Sequence, residues 1–199
     1  MSRAYRIEVK ETLEIKTTAH DRVESKLQML GLLPPERMAE ILGEELVGEG
    51  FGPSDSQDTK KGLLQKRTCE ADGTELLITV DPQLGSVLVE TVAQREKTFV
   101  GIRAGVVLDT IPLAKEERKR LQNLVLEDAK AEESREQSKT QKTATNLLEG
   151  SIADIRALMD QVVHRATLRA LREKASQMGQ IRSIDEDPLQ KRLTIVLEV

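Results

Sequence analysis

Few side chains in this sequence could act as nucleophile or base: one cysteine, Cys69, and two histidines, His20 and His164. A thiolate beside an imidazole could run acyl transfer if the two came within hydrogen-bond reach. No local motif surrounds any of the three. Cys69 stands in a strand-like stretch, His20 beside an expected helix start, and His164 inside a long helical pattern. Surface or packing roles fit them better, and a hydrolase built on Cys69 is the third reading. Two histidines and a cysteine cannot close a zinc site without carboxylates, and no close His or Cys pair exists. Asp185, Glu186 and Asp187 could face a hard cation, but the further ligands and glycine of a calcium loop are missing, so they read as an acidic turn. Gly48, Gly50 and Gly52 follow a helix and lead into a Ser/Asp loop, the reverse of the strand-then-helix order of a phosphate loop. The expectation is no catalytic residue, no cofactor and no metal.

Two patterns remain. Arg165, Arg169 and Arg172 fall at i, i+4 and i+7, one stripe of a helix, a spacing that could track phosphates. Leu148, Ile152, Ile155, Met159, Val162 and Ala166 are spaced 4, 3, 4, 3, 4, the seam of a coiled coil. Such a seam either lies on the chain's own sheet or meets a partner helix. The expectation adopted is the second, with Ile152, Ile155, Met159 and Val162 buried against a matching seam of another protein or a second copy.

The elements that carry these residues follow from periodicity. Residues 5–15 alternate, with Tyr5, Ile7, Val9, Leu13 and Ile15 opposite Arg6, Glu8, Lys10 and Glu14, as in a half-buried strand. Glu11 breaks the pattern and suggests a bulge or an edge. Asp21 and Glu24 resemble a capping pair ahead of Val23, Leu27 and Leu30, which predicts a helix ending at Gly31. Pro34-Pro35 opens the next helix, whose apolar stripe is Met38, Ile41, Leu42 and Leu46. A polar loop follows to about Lys61. Three strands then read as a meander: 63–70, Leu76–Val80 and 87–93, turned at Ala71-Asp72-Gly73 and at Asp81-Pro82. Residues 99–108 read as a further strand. The period becomes helical from Leu113, and residues 127–146 offer no apolar face, so they read as an exposed helix or a linker and as the least protected stretch. Gly179 ends the last helix. Strands at 181–184 and 193–199 flank an Asp185–Pro188 turn.

Together these predict an α+β fold whose antiparallel sheet contains both terminal strands. The expected core is residues 1–112 plus 180–199, with 113–179 as a helical excursion, a hairpin or coiled coil. The chain has 199 residues and net charge −4, with charges of both signs interspersed, which gives no global attraction to nucleic acid or to an anionic membrane. Tyr5, Phe51 and Phe99 are its aromatic residues, too few for base stacking. No apolar run approaches the ~20 residues of a membrane span, and the N-terminus lacks a signal-peptide core, so a cytoplasmic location is expected.

Three stretches near the C-terminus carry a family resemblance: Leu168-Arg169-Ala170-Leu171-Arg172-Glu173-Lys174-Ala175, then Met178-Gly179-Gln180-Ile181, then Ser183–Pro188 with the closing Leu193–Val199 strand. With the opening strand and Leu32-Leu33-Pro34-Pro35-Glu36-Arg37-Met38-Ala39, they resemble the small bacterial accessory proteins of AAA+ ATPases grouped as FtsH ternary system domains. The resemblance implies a non-enzymatic partner of an ATPase or protease system, in defence or stress, and transfers no catalytic residue. The function expected is a non-catalytic protein-interaction module, an adaptor or structural subunit of a cytosolic assembly. The alternative is nucleic-acid binding through Arg165, Arg169 and Arg172.

Overall fold

The computed structural model describes residues 4–54, 62–108, 111–187 and 192–198. The chain is an α+β protein: β1 (Ala4–Lys26), α1 (Pro35–Gly48), β2 (Gly52–Pro53), β3 (Leu64–Cys69), β4 (Glu75–Asp81), β5 (Ser86–Leu108), α2 (Ile111–Met178), β6 (Gln180–Asp187) and β7 (Arg192–Glu198). It divides into two compact units. The first comprises Met1–Asp21, Ala71–Thr74 and Val92–Asn146; the second comprises Arg22–Glu70, Glu75–Thr91 and Leu147–Val199. The segment expected as a helical hairpin or coiled coil is one helix, α2.

The five-stranded sheet has the order β1-β5-β4-β3-β2, and β3 pairs antiparallel with β2 and β4, which lie in the second unit. Alternation puts Leu76, Ile78 and Val80 of β4, with Val87 and Val89 of β5, on one buried face. Met38, Ile41, Leu42 and Leu46 of α1 cover it, and so does the second half of α2. Pro35 opens α1 as the sequence suggests, and Gly50, at φ 86°, ends it in the left-handed region that glycine enters without strain. Phe51 then folds back into the core. The turns of the meander are as read, but 87–93 and 99–108, expected as two strands, are one continuous strand, β5. Asp72 accepts from the Thr74 amide at 3.0 Å, and Asp81 accepts from the Gln83 and Leu84 amides. Asp72's carboxyl is held below its usual range by those Thr74 bonds.

Two sequence expectations need correction here. The helix expected over 21–30 is absent: β1 runs on to Lys26, Val23 and Leu30 are exposed, and the Leu27 amide donates to Gly85 O at 2.7 Å. Ladder pairing outweighs one weak capping pair. Both terminal segments are strands, but they stand in different sheets. β7 pairs with β6, Ile184 opposite Ile195, in a separate two-stranded sheet. Each strand can saturate its backbone in a local hairpin, so alternation alone does not say which strand becomes its neighbour. Residues 55–61 of the expected polar loop and Pro188 of the acidic turn lie outside the described residues.

In the first unit α2 packs on β1 and β5. Val9, Ile15, Thr17 and Ala19 of β1 face the helix, while Arg6, Glu8, Lys10, Glu14 and Lys16 face away. Glu11 joins the inward row, 3.5 Å from Gln122 Nε2. Gly101 and Gly105 of β5 let the helix approach closely. A Cβ on Gly101 would stand 2.5 Å from Val125 Cγ1, and one on Gly105 would stand 3.3 Å from Leu121 Cδ1.

Residues 127–146 are helix throughout. What holds them is mostly polar. Thr140, fully buried, shares a 2.8 Å hydrogen bond with buried Thr17. Lys97 reaches Glu132 at 2.6 Å and Glu136 at 2.9 Å, and Arg95 donates to Thr143. Ala19, Ala93 and Ala144 form a small apolar contact beside them. A search for apolar faces passes over this stretch because its inward positions are Ala, Glu and Thr.

Candidate functional site

The seam expected to meet a partner is occupied by the chain itself. Leu148, Ile155 and Met159 are buried, and Val162 and Ala166 are fully so, all in the second unit's core with α1 and the sheet. Ile152 is half-buried. It lines an open groove of about 360 Å³ with Val23, Lys26, Arg156, Met159 and Asp160. The helix-to-helix spacing is real, but the amphipathic sheet and α1 offer a nearer apolar surface, and burial there satisfies the seam. The expectation that it is presented to a partner is corrected accordingly.

The arginine stripe is drawn toward α1. Arg165 donates to Glu45 at 3.2 Å and Glu49 at 2.5 Å, and Arg169 reaches Glu44 at 2.5 Å. Arg172 is exposed and has its own electrostatic or hydrogen-bonding partner. One turn on, Arg37 grips Glu173 through two nitrogens, at 3.1 and 2.9 Å. That bond raises the Arg37 pKa and lowers that of Glu173. Arg165 and Arg169 therefore face carboxylates of the same unit.

The groups weighed for chemistry are dispersed over separate elements. Cys69 is exposed at the end of β3, opposite Glu75, and His164 is exposed on α2. His20 is exposed on β1, where its backbone carbonyl accepts from Gln141 at 3.3 Å. Among the described residues no group of three or more His, Cys, Asp or Glu is arranged to hold a metal ion. No described helix is long and apolar enough to cross a membrane.

The feature that sequence reasoning missed lies on β5. Its inward positions meet α2 by packing at Ala93, Phe99 and Gly101, or by ion pairs at Lys97 and Arg103. Its outward positions from 98 to 106 are Thr98, Val100, Ile102, Ala104 and Val106, all exposed. Val100, Ile102 and Val106 are 49%, 55% and 70% exposed, an apolar row along one strand. The segment's one charge, Arg103, turns inward to Asp128 at 2.6 Å. The signal was legible: in FVGIRAGVVL the glycines alternate with Val, Ile and Val, so a helix packed over the glycines must leave the aliphatic row outside.

The fold is that of an α+β chain in which Cys69, His20 and His164 stand on separate elements. The chain belongs to the FtsH ternary system domain X5 family, whose model matches residues 1–199. No curated protein and no solved structure matches it.

Proposed function

We propose that this protein is a non-catalytic interaction module, an adaptor or structural subunit that works beside an FtsH-type AAA+ ATPase in the cytoplasm. The observation that carries the proposal is the exposed Val100, Ile102 and Val106 row. Desolvating aliphatic side chains that stand in water favours association, and a monomer gains nothing from keeping them together. Family membership supports the same reading, since a ternary system is by its name an assembly of several components. Charges of both signs are interspersed along the sequence, which suits a soluble subunit. Nucleic-acid binding through the arginine stripe loses support, because α1 carboxylates hold Arg165 and Arg169.

The test is affinity isolation of the full chain from its native host, followed by intact-mass measurement and subunit counting. A stoichiometric complex containing an AAA+ ATPase or protease subunit is the expected result. A chain recovered alone, as a monomer, overturns the proposal.

A further inference from the structure

The two strands of the first unit treat their outer flanks differently. β1 is guarded by charge and by cover. On the face away from α2 its row is charged at Arg6, Glu8, Lys10, Glu14 and Lys16, and at its edge two carbonyls are capped by α2 side chains: Gln137 donates to Thr18 O at 2.9 Å and Gln141 to His20 O at 3.3 Å. Charged edges and covered backbone groups are how sheets discourage a further strand. β5 has neither device over 98–106. Among the described strands its other neighbour is β4, but β4 has seven residues against the 23 of β5, and the four-residue turn between them ties β4 to the start of β5. Past that point, no strand among the described residues flanks β5 on the side away from β1.

The kind of occupant follows from size and charge. Burying a whole Val or Ile side chain removes about 60–120 Å² at the usual transfer coefficient, so three half-exposed ones offer roughly 100–200 Å². A stable dimer covers about 800 Å² on each partner, far more than this row supplies. A single extended segment needs less area, because an open strand edge adds main-chain hydrogen bonds while alternate side chains select the sequence. With no charge in the outward row, the segment it fits carries uncharged, apolar side chains at every second position.

We infer that β5 residues 98–106 are a strand-addition site for an extended, alternately apolar segment of a partner protein. This rests on the interaction-module reading and specifies the surface and the mode.

The experiment uses the full chain with Cys69→Ser and a displayed library of random ten-residue peptides. Enriched peptides should alternate apolar and polar residues, and Ile102→Asp should weaken them about tenfold or more. With a selected peptide bound, amide hydrogen exchange should slow within 98–106 and stay unchanged over β1. No enrichment, or enriched peptides that protect other amides, overturns the inference. A selected peptide that fails to compete with self-association through β5 assigns the edge to a second copy and also overturns it. The broader reading fails separately, on recovery of the lone monomer from the host. A host complex that forms with the β5 amides unprotected sinks strand addition alone.

Discussion

Replacing Ile155 by Ala tests whether the seam is core. Ile155 is 8% exposed, packed in a cluster with Ile41, Leu42, Leu46 and Val162. Truncating a buried Ile to Ala costs about 2–5 kcal/mol, the spread depending on how far the site can collapse or fill. Ile155 also borders the open groove of about 360 Å³, so water and neighbours such as Met159 can relax into the space. That places the cost near the lower end, about 2–3 kcal/mol. Amide exchange at Ile41 and Leu42 of α1 reads the second unit without mixing in the first. The expected acceleration is roughly 30- to 150-fold under native conditions. Ile155→Asp adds an unpaired buried charge and should leave the second unit unfolded at room temperature. Unchanged protection in the Ala variant, with a folded Asp variant, would refute core placement and return the seam to the surface.

Three further outcomes follow from the first unit. Thr140→Val should cost about 1–3 kcal/mol by stranding the Thr17 hydroxyl, while Thr17→Val with Thr140→Val should recover much of it; urea titration of all three variants measures the coupling. Hydrogen bonds from Lys139 and then Lys97 hold the Glu136 carboxyl at about 2 against an ordinary 4.5. A depressed carboxylate contributes stability that is complete above 4.5 and is lost as pH falls toward 2, so the melting temperature of wild type minus that of Glu136→Gln should shrink across that window; a constant difference contradicts the ion pairs. Gly101→Ala should cost about 1–3 kcal/mol by overpacking against Val125, and Val125→Ala in the same chain should relieve part of that cost in thermal melts.

What the sequence made legible were features with a local cause. The meander followed from Asp-Gly and Asp-Pro turns, and α1 from Pro35 and its apolar stripe. Two helical features were visible too, the seam's spacing and the stripe's phase. Their destinations were not, because an apolar row looks the same whether it meets its own sheet or a partner. Leu148–Ala166 went inward, and Arg165 and Arg169 turned to Glu44, Glu45 and Glu49, residues about 120 positions away in the chain. What holds the helix over 127–146 was hidden for a different reason. Its contacts, Thr17 with Thr140 and Lys97 with Glu136, are polar pairs brought together by the fold, which hydropathy does not register.

The central claim is that the partner surface is the β5 row and not the α2 seam. Capture of host partners by Ile102→Asp, run beside the wild-type chain, tests it most directly. Ile102 is 55% exposed, so its variant should melt within a degree or two of wild type. The prediction is a folded Ile102→Asp chain that no longer recovers the complex. A folded variant that brings down the same complex in wild-type yield would contradict the account.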